Sequence, residues 1–403
     1  MNLINENKIL NKILSVFDKI FEGIFIIVFI LYIISITLHH SNIFSLSIPH
    51  FLILKTIKYT LYTFVLITAY SIITLQFNFK STITIILIGV LLLLNYVFCR
   101  DGRLVLIYCA VISAKNYNYE KLIKIAFFSI MFSCILVLLC RLLNVIPDIS
   151  EEMNRNNGII RHGLGFSVAN VSGYNLTAMV LLYISYKKES IKILNLILFA
   201  ITNMVIFYFT NTRFPFILIN LAIILYLLLK YHYLNINNIF IKAISILIYI
   251  ICSSLIIILS VLYGYKNSIA VYINKVLTGR LALSWSGINN FGLSLFGKVV
   301  NFKVNGYDVI DSSYINALII FGVVAFILIV LFFTILQYVS YKNNKNYIVL
   351  ALFIFAIYST FDGILLMFNL NVLPIIFIPL FNNLIMKRNK SINYRVVNVC
   401  ILK

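Results

Sequence analysis

The sequence predicts an all-α polytopic membrane protein of about twelve transmembrane helices, and three observations carry that expectation. Hydrophobic residues make up 62% of the 403-residue chain and charged residues only 11%. Mean hydropathy is +1.02, and apolar runs recur at the roughly 20 residues a helix needs to cross a bilayer core. Lysines collect in every second connection, as cytoplasmic loops require. Hydrocarbon offers the backbone no hydrogen-bond partner, so each run must satisfy itself as a helix.

In order, the spans are expected at 20–38, 54–75, 82–99, 104–114, 122–146, 170–186, 192–210, 214–230, 239–263, 314–338, 347–368 and 371–386. The first is expected to stay in the membrane, because no small-residue cleavage site follows it. The second carries Lys55 and Lys58 near its start, which must snorkel outward. The fourth, Leu104 to Ala114, is too short to cross alone. All belong to one integral membrane domain, 1–403, with a cytoplasmic tail at 387–403 and both termini cytoplasmic. Two outer segments are long, one from Pro147 to Ala169 and one over 264–313. The second holds Trp285, Phe291, Leu293, Leu295 and Phe296, which argues for a folded amphipathic substructure on the membrane surface.

The formal charge is +20. No soluble basic stretch is interleaved with aromatics, so the excess is assigned to topology and anionic headgroups, not to nucleic acid. With alternating loops, 17 lysines and 2 arginines fall inside, against 6 lysines and 7 arginines outside. The outer arginines are Arg100, Arg103, Arg141, Arg155, Arg161, Arg213 and Arg280. Arginine's planar fork suits phosphate and carboxylate, so an anionic substrate handled outside is expected. The six cysteines form no CxxC pair and read as packing residues.

Four segments can carry chemistry. In Arg161-His162-Gly163-Leu164-Gly165-Phe166, continuing to Asn170 and Gly173, glycines beside an arginine allow close backbone approach to an anion ahead of a helix N-terminus. A glycine-rich turn at the membrane boundary is the alternative. Thr210-Asn211-Thr212-Arg213-Phe214-Pro215 is a tight outer hairpin that pins Arg213 near hydrocarbon, where an unpaired charge costs about 2.5–3.5 kcal/mol on insertion scales. Thr278-Gly279-Arg280-Leu281 adds a second phosphate candidate, and Asp308-Val309-Ile310-Asp311-Ser312-Ser313-Tyr314 adds carboxylates near those arginines. Asp362, in Phe361-Asp362-Gly363, is an ionisable group inside an expected span and is a functional candidate or an arginine partner. His39, His40 and His50 match no metal motif, and no GxSxG, HExxH, Walker or dinucleotide fingerprint is present.

Taken in order over roughly residues 100–340, these motifs resemble the polysaccharide repeat-unit polymerases of bacterial envelopes, the Wzy-like O-antigen and capsule polymerase family. The resemblance rests on Arg161–Gly165–Phe166–Asn170–Gly173, the Arg213 hairpin, Thr278-Gly279-Arg280-Leu281 with Leu295-Phe296-Gly297, and Asp311-Ser312-Ser313-Tyr314 leading to Gly322. Where the family often has His-Pro before the asparagine, this chain has Val168-Ala169, so that histidine's role does not carry over.

The resemblance implies a GT-C-like glycosyltransferase in the bacterial cytoplasmic membrane. It would join undecaprenyl-diphosphate-linked repeat units into capsule, exopolysaccharide or O-antigen chains on the outer face. Arg161, Arg213 and Arg280 would bind diphosphate, Asp311 or His162 would serve as base, and Gly165, Asn170 and Tyr314 would shape the site. Implied partners are the lipid-linked oligosaccharide, membrane lipids, a flippase and a chain-length regulator, with no cofactor, metal or nucleotide sugar. The alternatives are a ligase that passes finished glycan onward, or a lipid-linked oligosaccharide flippase without bond chemistry.

Overall fold

The computed structural model describes residues 2–73, 79–148, 150–153, 159–235, 238–301 and 310–382. Its first helices are α1 (Asn2–His39), α2 (Ser47–Ile73), α3 (Phe79–Cys99), α4 (Arg103–Ser113) and α5 (Tyr119–Leu142). A hairpin of β1 (Ser150–Met153) and β2 (Ile159–His162) interrupts them. Then come α6 (Ala169–Lys187), α7 (Ile193–Thr210), α8 (Arg213–Lys230), α9 (Ile239–Gly264), α10 (Ser268–Val276) and α11 (Arg280–Phe291). The series closes with α12 (Ser313–Ile320), α13 (Gly322–Lys342) and α14 (Asn346–Phe361).

Among the described residues, eight helices are long and apolar enough to cross a membrane: α1, α2, α3, α5, α7, α8, α9 and α13. The chain therefore has the architecture of an all-α multi-pass membrane protein. Large apolar side chains such as Leu66, Leu87, Phe98 and Ile224 stay exposed on these helices, as lipid contact permits.

The departures from twelve long spans have local causes. Helix α4 has 11 residues, short as its sequence suggests. The expected 314–338 span is two helices, because Gly322 has φ +80 and ends α12 before α13 begins. A Cβ at Gly322 would lie 2.4 Å from the backbone nitrogen of Gly297. Segment 294–298 lies across this break and pairs its backbone: Lys298 N–H donates to Ile320 O (3.0 Å), while Val323 and Val324 N–H donate to Ser294 O (2.9 Å) and Leu295 O (3.1 Å). Asn95 of α3 finishes the joint, its amide donating to Phe296 O (2.8 Å) and Phe321 O (2.7 Å). The broken helix thus leaves no orphan carbonyl at these two positions.

The expected 347–368 span ends at Phe361. There Ser313 Oγ donates to Asp362 O (2.6 Å) and accepts from Leu365 N–H (3.0 Å), so a hydroxyl of α12 replaces helical bonds at the turn. The last expected span is a 3-10 turn, Leu373–Ile376, within a short apolar helical stretch ending at Asn382; residues 383–386 lie outside the described residues.

The centre of the bundle is built from two helices outside that group of eight. Helix α6 packs against α5, α7, α8 and α14, and α14 packs against α6, α8, α9, α12 and α13. Enclosure explains why α6 tolerates polar residues. Its Thr177 and Ser185 hydroxyls donate back to Gly173 O (2.8 Å) and Leu181 O (2.7 Å), so they are satisfied within the helix.

Both long interhelical segments have structure. The first carries the hairpin, antiparallel with Ser150 opposite His162 and Glu151 opposite Arg161. In the second, α10 and α11 fold back on α9, and α11 also meets α12. Trp285 of α11 lies against Gly264, where a Cβ would come within 2.3 Å of the indole.

Candidate active site at the arginine-bearing end

Helix packing brings the sequence motifs together at one end of the bundle. Gly173 of α6 makes this possible: a Cβ there would sit 2.7 Å from Pro215 Cγ, so α6 and the start of α8 approach closely. The approach places the end of α7 over the segment leading into α6. Arg161, 4% exposed, reaches across it. Its Nε donates to Thr210 O at 2.6 Å and its Nη2 donates to Asn170 Oδ1. A guanidinium this deep needs such partners, since a bare charge near hydrocarbon is costly.

A second guanidinium sits beside it at the start of α11. Arg280 follows Gly279, whose φ of +91 begins that helix. Its guanidinium carbon lies 4.5 Å from the Phe214 ring centroid, and Phe214 rests on Phe361 at 4.7 Å. Arg280 Nε donates to Asp311 Oδ2 (3.3 Å) and Nη2 donates to Asp362 Oδ1 (3.2 Å). The Tyr174 hydroxyl of α6 donates to the same Asp362 oxygen at 2.9 Å. Asp362 lies just past the last residue of α14, and its side chain is 2% exposed. Burial pushes its carboxyl up to about 7, the Arg280 guanidinium opposing the rise and Asp311 adding to it. Arg161 is near enough for its charge to oppose the rise as well.

The sequence candidates separate into distinct groups. Arg161 with Asn170, and Arg280 with Asp311, meet in this cluster. Arg213, at the head of α8, is exposed, and no hydrogen bond or ion pair of its side chain occurs among the described residues. His162 stands apart with Asp148: its Nδ1 lies 3.1 Å from Asp148 Oδ2, and Arg141 Nη2 lies 3.6 Å from that oxygen. No hydrogen bond or ion pair among the described residues links His162 to Asp311, Asp362 or Arg280. Gly165 belongs to the His162 group, its N–H donating to Asp148 Oδ1 (3.4 Å) and its carbonyl accepting from Asn42 N–H (2.9 Å).

Tyr314 is fully buried and its hydroxyl donates to Ala356 O (3.1 Å), so it fastens α12 to α14 and does not face the arginines. Arg103 pairs with Asp101 (2.7 Å) and lies over the Phe321 ring. Asp308 and Arg155 lie outside the described residues. Rings of His39, His50 and Phe44 pack together, with His50 stacked on Phe44 at 4.2 Å.

Sequence reasoning passed over Tyr174 and Asp148. Tyr174 stands four residues after Asn170, one helical turn along the same face, and that spacing was the available signal. Asp148 follows Pro147 within seven residues of Arg141, close enough in sequence to suggest a pair.

Chemically, the cluster offers fixed positive charge for a developing anion and carboxylates within reach of an incoming hydroxyl. No protein-family model matches the chain, and no curated protein or solved structure matches it.

Proposed function

We propose that the chain is a glycosyltransferase that polymerises polyprenyl-diphosphate-linked oligosaccharide repeat units on the outer face of a bacterial cytoplasmic membrane, with both termini cytoplasmic. The observation that carries the reading is the cluster itself. Two guanidiniums, that of Arg161 buried and that of Arg280 largely so, converge with two carboxylates at one end of a membrane bundle, from β2, the start of α11, the segment just before α12 and the end of α14. Ionisable groups buried in a membrane protein are expensive and mark functional sites by default.

The chemistry fits that reading. A diphosphate leaves as an anion, so its departure needs preorganised positive charge more than a strong acid. The acceptor hydroxyl needs a base; of the sequence candidates Asp311 and His162, Asp311 stands beside Arg280, and so does Asp362. Lipid chains would reach the site laterally between helices, and a flippase and a chain-length regulator are the natural partners.

The test is glycan length in cells carrying Arg161→Ala or Arg213→Ala, with membrane insertion checked by protease accessibility. The reading expects loss of long glycan and accumulation of single lipid-linked units on the outer leaflet. Wild-type chain lengths in both variants would refute it. Long chains retained on lipid would identify a ligase, and units stranded on the cytoplasmic leaflet would identify a flippase.

A further inference from the structure

Arg280 is already neutralised before any substrate arrives. Its single positive charge lies between the carboxylates of Asp311 and Asp362, at 3.3 and 3.2 Å. With both acids ionised, Arg280 and its two carboxylates together carry one negative charge, which the nearby Arg161 only offsets, so Arg280 offers a diphosphate no net attraction. Arg213 differs: it is exposed, and no ion pair of its side chain occurs among the described residues.

Two atoms of the Arg280–Asp362 pair keep unused bonding capacity. Arg280 Nη1 and Asp362 Oδ2 are both buried and have no hydrogen-bond partner among the described residues. One is a donor and the other an acceptor, and each is bonded to the carbon that also carries an engaged atom of the pair. A phosphate oxygen accepts from Nη1 but is repelled by Oδ2. A hydroxyl has both capacities that the two atoms leave unused, since it accepts from a guanidinium N–H and donates to a carboxylate oxygen. Leaving such a pair unmet in a buried site costs free energy, so the site favours a ligand that meets it.

Resting on the polymerase reading, we propose that Arg280, Asp311 and Asp362 form the site for the hydroxyl of an uncharged acceptor sugar, with Asp362 as the base, and that Arg280 is not a diphosphate ligand. Asp311, whose side chain is about a third exposed, marks the side from which the sugar approaches. The step balances as a substitution. The acceptor O–H proton passes to Asp362 Oδ2, and the freed oxygen forms a bond to the donor's anomeric carbon. The bond from that carbon to the diphosphate oxygen breaks, and the diphosphate leaves with the electron pair. A carboxylate held in a poorly solvated place is a stronger base than one in water, which suits this role. Tyr174, donating to the other oxygen of Asp362, is a positioning residue that leaves Oδ2 free for the acceptor.

The experiment uses the full-length protein in lipid nanodiscs, with farnesyl diphosphate as the probe for the donor's leaving group. The variants are Arg280→Gln/Asp362→Asn, which leaves no buried charge unpaired within the pair, Asp362→Asn alone, and Arg213→Ala. The double variant is expected to bind the probe within twofold of wild type yet make no polymer in cells. Arg213→Ala is expected to lose probe binding tenfold or more. A tenfold loss of probe affinity in the double variant would place the diphosphate on Arg280 and overturn the proposal. Polymer of wild-type length from Asp362→Asn would overturn it too. A wild-type protein that binds no farnesyl diphosphate would instead bring down the polymerase reading, and this proposal with it.

Discussion

Arg280→Ala should destabilise the protein far more than loss of one surface charge, because it strands Asp362. That side chain is 2% exposed, and Arg280 is its only ion-pair partner among the described residues. Breaking a buried pair by removing one partner costs about 3–5 kcal/mol, and lifting the guanidinium from Phe214 adds about 0.5–2 kcal/mol. The companion variant Arg280→Gln/Asp362→Asn removes the stranded charge as well and should cost less than Arg280→Ala alone.

The pH dependence gives the sign. Burial raises the Asp362 carboxyl from its ordinary value of 3.8 to about 7, so folding binds a proton between those two values. Stability attributable to this group therefore falls as pH rises through that window, by at most about 1.4 kcal/mol per pH unit. Removing Arg280 takes away the charge that opposes the rise, so the decline should extend to higher pH in Arg280→Ala. Thermal unfolding of the purified protein, followed by tryptophan fluorescence at pH 5.5 and pH 8, measures this. The penalty of Arg280→Ala should be larger at pH 8. Equal penalties at the two pH values, or additive single and double variants, would refute the coupling.

Other outcomes follow from the packing. Gly173→Ala should push α8 away from α6, since its Cβ would meet Pro215 Cγ at 2.7 Å; a loss of about 1–3 kcal/mol in unfolding stability is expected, with reduced polymer. Ser313→Ala should cost about 1–3 kcal/mol by leaving Asp362 O and Leu365 N–H without their shared hydroxyl, and hydrogen exchange at Leu365 reads it directly. Asn95→Ala should loosen the α12–α13 joint, visible as faster exchange at Lys298 and Val323, because two carbonyls lose their donor. Asp148→Asn should weaken the Arg141–His162 group while leaving some polymer, whereas Asp311→Asn should abolish it.

Much of this architecture is legible in the sequence because lipid imposes a one-dimensional rule. An apolar run of sufficient length must be a helix, and α3, α5, α6, α7, α8 and α9 follow their runs closely, while α1 begins well before its apolar run. The rule fails where tertiary bonds substitute for helical ones. Ile320-Phe321-Gly322-Val323 reads as continuous apolar sequence, yet segment 294–298 and Asn95 take over its backbone bonds and permit a break. The end of α14 at Asp362 depends in the same way on a serine 49 residues away. The hairpin at 150–162 is short, charged and non-alternating, so no periodicity announces it.

For the site, arginine placement told which residues would gather but not who pairs with whom. Asp362 stood out as an ionisable group in an apolar run. That its partner is Arg280, and that Tyr174 bonds the same oxygen, comes only from the meeting of α6, α11 and α14. Arg213, Arg161 and Arg280 look equivalent in sequence. In the fold one is exposed, one bonds a backbone carbonyl and an asparagine, and one is held by two acids.

The central claim is that this cluster joins lipid-linked repeat units. The most direct measurement is the length and leaflet of lipid-linked glycan in cells whose sole copy carries Asp311→Asn. Single repeat units should accumulate on the outer leaflet, with long polymer lost. Polymer of wild-type length, or repeat units held on the cytoplasmic leaflet, would contradict it.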